Sequence, residues 1–212
     1  MNKNFTVVMY HYVRELASSN YPAIKGLDLH LFKEQILFFK NHYTFISIND
    51  LIQAYESNSD LPKNAILLTF DDGYSDHYYD VFPILYDNKI QGCFYPPATT
   101  ILDKKVLDVN KIHFMLAVVK NKNIIVSEIF NELDKYRSEY NLKENEYYFS
   151  KLGIANRFDS KEVIFIKRIL QVGLAQDLRH RIVDYLFKKY VTIDEKNFSE
   201  ELYMSVKNIK TM

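Results

Sequence analysis

The chain reads as an α/β fold, and three observations predict it. Strand-like and helix-like stretches alternate through the first half, the pattern of parallel strands with helices packed outside them. Within that half, Ala65-Ile-Leu-Leu68 is an uninterrupted apolar run that leads through Thr69 and Phe70 into two adjacent acids, Asp71 and Asp72. A run without polar alternation marks a strand buried on both faces. From Asp108 onward, helical patterns follow one another with almost no strand signal, so a helical block follows the βα part.

Residues 5–13 are β-rich and form the expected first strand, which ends at Tyr10-His11-Tyr12. A histidine at a strand's carboxyl end serves as a core residue, a structural hydrogen-bonder or a site residue, and the local pattern leaves the three open. Residues 14–27 read as loop, broken by Pro22 and Gly26. Asp28 caps a helix running to about residue 42, with Phe32, Ile36, Phe39 and Tyr43 as its apolar stripe and Leu29 and Leu37 beside it. Residues 44–46 form a short strand. Ser47-Ile-Asn-Asp50 approximates a capping box before a helix over 51–56. After the central strand, Tyr74, Tyr78, Val81 and Leu85 recur at helical spacing, with His77 and Phe82 on the same side. Pro83 falls inside this helix and predicts a kink or two short pieces. Residues 90–96 form the next strand, closed by Pro96-Pro97.

In the helical block, Ile112, Met115, Leu116 and Val119 share one face, as do Ile129, Leu133 and Tyr136. Ser160 caps a run with Val163, Ile166, Ile169 and Leu170, and Leu178, Ile182, Tyr185, Leu186 and Phe187 form another. Ser199 is the expected cap of a last helix with Leu202, Val206 and Ile209. The expected boundary divides 1–107 from 108–212.

The two acids carry the functional reading. An unpaired carboxylate at the end of a buried strand costs several kcal/mol or shifts its pKa, and the carboxyl ends of parallel strands are where α/β proteins build their sites. Asp-Gly after an apolar run is also a hairpin signal. A hairpin requires a second alternating strand after Gly73, and helical spacing follows instead.

Thr69-Phe70-Asp71-Asp72-Gly73 resembles the first signature of the polysaccharide deacetylase family, the NodB-like carbohydrate esterase family 4 enzymes. Val8-Met9-Tyr10-His11-Tyr12-Val13 is similar to that family's first-strand motif, and Cys93-Phe94-Tyr95-Pro96-Pro97-Ala98 to the strand after the signature helix. The similarity covers about residues 5–101. It implies a partial (β/α) barrel and metal-dependent hydrolysis of the N-acetyl group of a carbohydrate, a hydrolase reaction at a non-peptide carbon–nitrogen bond. By position it implies Asp71 as general base, Asp72 as metal ligand, and His11 and Tyr95 as residues that contact substrate or flank the acids. The implied metal is zinc, held in the family by one Asp and two His with open positions for water and the acetyl oxygen.

The two metal histidines are missing. The family supplies them about four residues apart, whereas the histidines here are 11, 30, 42, 77, 113 and 180. The later acid histidine and its arginine-proline loop have no counterpart either. About four parallel strands are too few to close such a barrel, and the last one is left with an open edge. The expectation is an N-terminal part of a deacetylase domain with a helical insertion, truncated before the later motifs, impaired by itself, and completed by a C-terminal partner chain or a homo-oligomer. Two other readings stand beside it. One is a non-catalytic module that binds carbohydrate or a partner protein. The other is a different metal hydrolase built from Asp71, Asp72, His11 and His77, although His77 reads by default as a solvent-facing helix position. Haloacid-type phosphatases need Asp-x-Asp, and calcium loops need alternating acids around a central glycine; neither pattern is present.

Lys plus Arg is 27 and Asp plus Glu is 27, so the formal charge is zero, against nucleic acid as main partner. The 17 Tyr and 15 Phe suit sugar platforms and core packing equally. One cysteine, Cys93, excludes an internal disulfide and fits a reducing compartment, where it reads as an inert thiol. The first residues do not read as a signal peptide, and no apolar run approaches the ~20 residues that span a bilayer. The expected location is the cytoplasm, which suits a glycan precursor or a nucleotide- or lipid-linked N-acetyl sugar.

Overall fold

A computed structural model describes residues 4–212. It divides into two compact units. One comprises the residues up to Asn20, Lys25–Lys105 and Lys196–Met212; the other comprises Tyr21–Ile24 and Val106–Glu195.

The first unit is mixed α/β around a parallel sheet. In chain order its elements begin β1 (Phe5–Tyr10), β2 (Val13–Arg14), β3 (Leu27–Asp28), α1 (Leu29–His42), β4 (Thr44–Phe45), α2 (Ile48–Glu56) and β5 (Ala65–Asp71). A single π-helical turn (His77–Val81), α3 (Phe82–Asp87), β6 (Gly92–Tyr95) and α4 (Ala98–Leu102) follow. β5 is the centre. β1 runs parallel along it from Phe5 opposite Ala65 to Tyr10 opposite Phe70. A strand has two edges, and the second is shared: β4 pairs with Ala65 and Ile66, β6 with Leu68 to Asp71, both parallel. Among the described residues β6 pairs with β5 alone.

Every residue of β5 before Asp71 is buried, because both faces are covered. Side chains alternate across a strand. Ile66, Leu68 and Phe70 therefore enter one cluster with Tyr10, Phe32, Ile36, Val81 and Leu85. Ala65 and Leu67 enter the other with Ile46, Ala54 and Leu61. This is why the run shows no polar alternation.

The caps behave as their chemistry dictates. Asp28 accepts from the His30 amide at 3.1 Å and opens α1, which buries Leu29, Phe32 and Ile36. Leu37 is 61% exposed, since one helical step turns it about 100° from Ile36. Ser47 and Asp50 form a reciprocal capping box. That geometry makes Asp50 the third helical residue, so α2 starts at Ile48 rather than Leu51. Pro83 has no amide to donate, and it lies just after the π-helical turn, where the Phe82 amide reaches back five residues to the His77 carbonyl. The expected kink is this wide turn followed by a short helix.

The second unit is helical: α5 (Asp108–Val118), α6 (Lys122–Tyr140), α7 (Asn145–Leu152), α8 (Lys161–Arg168), a π-helical turn (Ile169–Gly173) and α9 (Gln176–Tyr190). Its core holds Ile112, Met115, Ile129, Leu133, Ile166, Leu178, Ile182 and Leu186, each with at most 1% exposure. Lys111 is buried and ion-paired with Asp184 at 2.5 Å and Glu195 at 2.8 Å.

The chain then enters α10 (Glu195–Leu202) and α11 (Val206–Thr211). Ser199 does not cap the last helix. It lies inside α10, 1% exposed, within 3.3 Å of the Lys105 carbonyl and 3.4 Å of the Thr100 carbonyl. Ser205 caps α11 instead, in a second reciprocal box with Asn208.

Candidate active site

The acids sit where the central strand ends. Asp71 is the last residue of β5, opposite Tyr95 of β6 in the register. The backbone then takes two successive left-handed steps, Asp72 at φ 68° and Gly73 at φ 64°. Such a step costs an L-residue roughly 1–2 kcal/mol, and Asp is among the few side chains that visit it. Glycine is required next. A Cβ on Gly73 would lie 2.5 Å from Pro96 Cβ and 2.8 Å from Pro96 Cα. The turn is also held from the far end of the chain. The Met204 amide donates to the Gly73 carbonyl at 2.8 Å, Ser75 Oγ donates to the Glu201 carbonyl at 2.8 Å, and Tyr203 stacks on Tyr74.

The environments of the two acids differ. Asp72 Oδ2 accepts from the Tyr74 hydroxyl at 2.6 Å. Tyr74 is fully buried, and burial first, then its neighbours Tyr12 and Asp72, push its phenol far above the usual range, so it stays a donor. Asp71 is partly open to solvent and has His11 Nε2 3.9 Å from its Oδ2. Tyr95 is half-exposed; its phenol is raised first by desolvation, then by Cys93 and Asp71. The fold thus brings all four residues singled out in the sequence, Asp71, Asp72, His11 and Tyr95, to the carboxyl ends of β1, β5 and β6.

His77 is a correction. Its expected place was a solvent-facing helix position, and it is 0% exposed. Its Nε2–H donates to the His11 carbonyl at 2.7 Å, and Nδ1 is buried with no hydrogen-bond partner among the described residues. Burial, the largest influence, pulls its pKa down to about 4. The signal is in the sequence, since His77 shares the apolar stripe of Tyr74, Val81 and Leu85.

Sequence reasoning also missed the hydroxyl of Tyr74, counted there only as apolar surface, and the clasp from residues 11–14 onto 74–77. In that clasp Tyr12 stacks on Tyr74 at 4.2 Å, and Arg14 holds Asp76 at 2.5 and 2.7 Å. Burial outweighs the Arg14 guanidinium at Asp76 and raises its carboxyl to about 6.

Among the described residues no group of three or more His, Cys, Asp or Glu side chains is arranged to hold a metal ion. His30 pairs with its own cap, Asp28, and His180 with Asp108 in the helical unit. A cavity of about 900 Å³ runs beside β6, lined by Phe82, Leu85, Phe94, Pro96 and Met204 among others. It reaches the residues that clamp Gly73 but includes neither acid.

This chain is similar to known proteins over part of its length. Residues 58–123 match the family described as polysaccharide deacetylase. The chain is 34% identical over 86 residues to the poly-beta-1,6-N-acetyl-D-glucosamine N-deacetylase of Escherichia coli K12. The match covers 40% of this chain and 12% of that protein. The same-named protein of E. coli O157:H7 matches equally. Among solved structures, a de-N-acetylase from Aggregatibacter actinomycetemcomitans is 30% identical, with a TM-score of 0.40 over 48% of this chain and 40% of that one. IcaB from Ammonifex degensii is 27% identical, with a TM-score of 0.38 over 45% and 40%. The N-terminal part of this chain resembles the polysaccharide deacetylases, as its Thr69–Gly73 signature indicated.

Proposed function

We propose that residues 1–107 are the N-terminal part of a NodB-like deacetylase domain, a partial (β/α) barrel, and that residues 108–212 contain a helical insertion. The reaction proposed is hydrolysis of the N-acetyl group of a carbohydrate, R–NH–CO–CH₃ plus water giving the free amine and acetate. One observation carries the reading. Two adjacent acids close the most buried strand at the carboxyl end of a parallel sheet, inside the stretch that matches the family. Asp71, partly open and beside His11, takes the proton of the attacking water. Asp72 is kept apart from it by the left-handed turn and oriented by Tyr74. His11 and Tyr95 flank Asp71 and border the acetyl group.

The family implies a divalent metal, usually zinc, with Asp72 as a ligand. The described residues do not fit that metal by themselves, because they offer no three-ligand set. We propose that a completing C-terminal partner chain, or a second copy, supplies what is lacking. A cytoplasmic location is proposed on the single cysteine, Cys93; cell fractionation tests it.

The functional test is acetate release from an N-acetylglucosamine oligomer, by the chain alone and with a separately expressed C-terminal segment of the E. coli relative. The expected result is release only in the mixture, abolished by Asp71→Asn. Release unchanged in Asp71→Asn would refute the role of the acid. No release in the mixture, with oligomer binding retained, selects a non-catalytic carbohydrate-binding module instead.

A further inference from the structure

The buried imidazole of His77 is not used by the chemistry above, and packing alone does not account for it. Its ring lies among Phe70, Tyr74 and Phe94, with centroids 5.5, 5.5 and 6.0 Å away. A phenylalanine or leucine would fill such a cage without leaving a polar atom unpaired. The histidine instead leaves Nδ1 buried with no partner among the described residues, a cost that native proteins bear for a reason. It also opens the π-helical turn, a departure from regular helix that recurs at functional sites.

The hydrogen bond of its ring shows where that cost is recovered. A carbonyl accepts, so the nitrogen 2.7 Å from the His11 oxygen carries the proton, and Nδ1 carries the lone pair. His11 lies between β1 and β2, and its ring is 44% exposed at Asp71. Two further ties cross between the same segments, Tyr12 on Tyr74 and Arg14 on Asp76. Of these three ties, the His77 bond is the one that attaches to residue 11 itself. A loop residue held by its main chain keeps its side chain in place without that side chain being consumed in the tie.

We infer that His77 is a positioning residue, whose buried imidazole fixes the main chain of His11 so that the His11 ring stays beside Asp71. The inference rests on the deacetylase reading for what that placement serves, but its geometry stands by itself. His77→Phe keeps the packing and removes the donor. His77→Gln restores the donor, because the Gln amide nitrogen is as many bonds from Cα as the imidazole Nε2.

The test is NMR of the intact 212-residue chain. In the wild type, the His77 Nε2 proton should show a scalar coupling to the His11 carbonyl carbon. The His11 and Tyr12 amides should have order parameters near the rigid value of about 0.85. In His77→Phe these two amides should fall below about 0.6 while residues 6–10 stay rigid, and His77→Gln should restore them. Ile36→Ala, a core truncation in α1, serves as a control for general loosening and should leave both amides rigid. A rigid His11 in His77→Phe, no rescue by Gln, or equal loosening in Ile36→Ala would each overturn the inference. Acetate release by the completed wild-type protein is measured separately. Its absence refutes the deacetylase reading, while the NMR result still decides the role of His77.

Discussion

Acidification should act on His77 and its neighbour Asp76 in opposite directions, and the two can be separated. His77 drops from its ordinary 6.5 to about 4 on folding. The folded state therefore holds this proton more weakly than the unfolded chain. The contribution of His77 to stability is complete above pH 6.5 and is lost as pH falls through that value toward 4. At about 1.4 kcal/mol per pH unit, the full loss is about 3 kcal/mol. Asp76 rises from 3.8 to about 6. Its contribution is present below pH 3.8 and is lost as pH rises through 6, again about 3 kcal/mol. Between pH 4 and 6 the two nearly cancel in the wild type. Urea unfolding, followed by circular dichroism at half-unit steps from pH 4 to 7, exposes them through variants. The stability of His77→Gln relative to wild type should improve by about 3 kcal/mol on going from pH 7 to 4. That of Asp76→Asn should worsen by a similar amount over the same range. Parallel profiles for wild type and His77→Gln would mean that water reaches the imidazole in solution, and the argument from a dry Nδ1 would fail.

Other perturbations have simpler signs. Gly73→Ala forces a Cβ against Pro96 and keeps a left-handed backbone; a loss of at least 1–2 kcal/mol is expected, read as a lower urea midpoint. Phe32→Ala empties a fully buried site against Tyr10 and Phe70 and should cost about 3–5 kcal/mol in the same assay. Lys111→Ala leaves Asp184 and Glu195 facing each other without their cation. Both carboxylates keep some solvent, so the cost is about 1–3 kcal/mol. Lys111→Met, which keeps the stem packed, should cost less, as thermal unfolding would show.

Much of the candidate site was legible because its signals are local. The apolar run before Asp71 reports burial on both faces, since side-chain alternation has nothing polar to show. The Asp28 cap and the Ser47 box depend on residues two or three positions apart. The turn after Asp71 needs a glycine, and Gly73 is there. Capping boundaries are less exact: the box is local, yet the expected helix begins at Leu51, three residues after the first helical residue, Ile48.

His77 and Ser199 were misread for a common reason. Each is a polar side chain whose place depends on a partner distant in sequence. His77 binds a carbonyl 66 positions away, and Ser199 two carbonyls 94 and 99 positions away. The hydroxyl of Tyr74 was overlooked for a different reason: its partner, Asp72, is two positions away, and only the left-handed step at Asp72 brings the two together. A polar residue reads as solvent-facing until such a partner is known, because an unpaired polar group in the interior is costly.

From its sequence alone this protein disclosed a buried parallel strand crowned by two acids, the Asp28 and Ser47 helix caps, and a helical second half, all consequences of short-range periodicity and turn chemistry. Tertiary structure decided what surrounds the acids: β4 and β6 dividing one edge of β5, residues 201–204 returning to clamp the turn, and His77 facing inward to hold His11. Those choices follow from which distant groups can satisfy buried donors and acceptors, and the closed chain selects them only when all of its elements are packed at once.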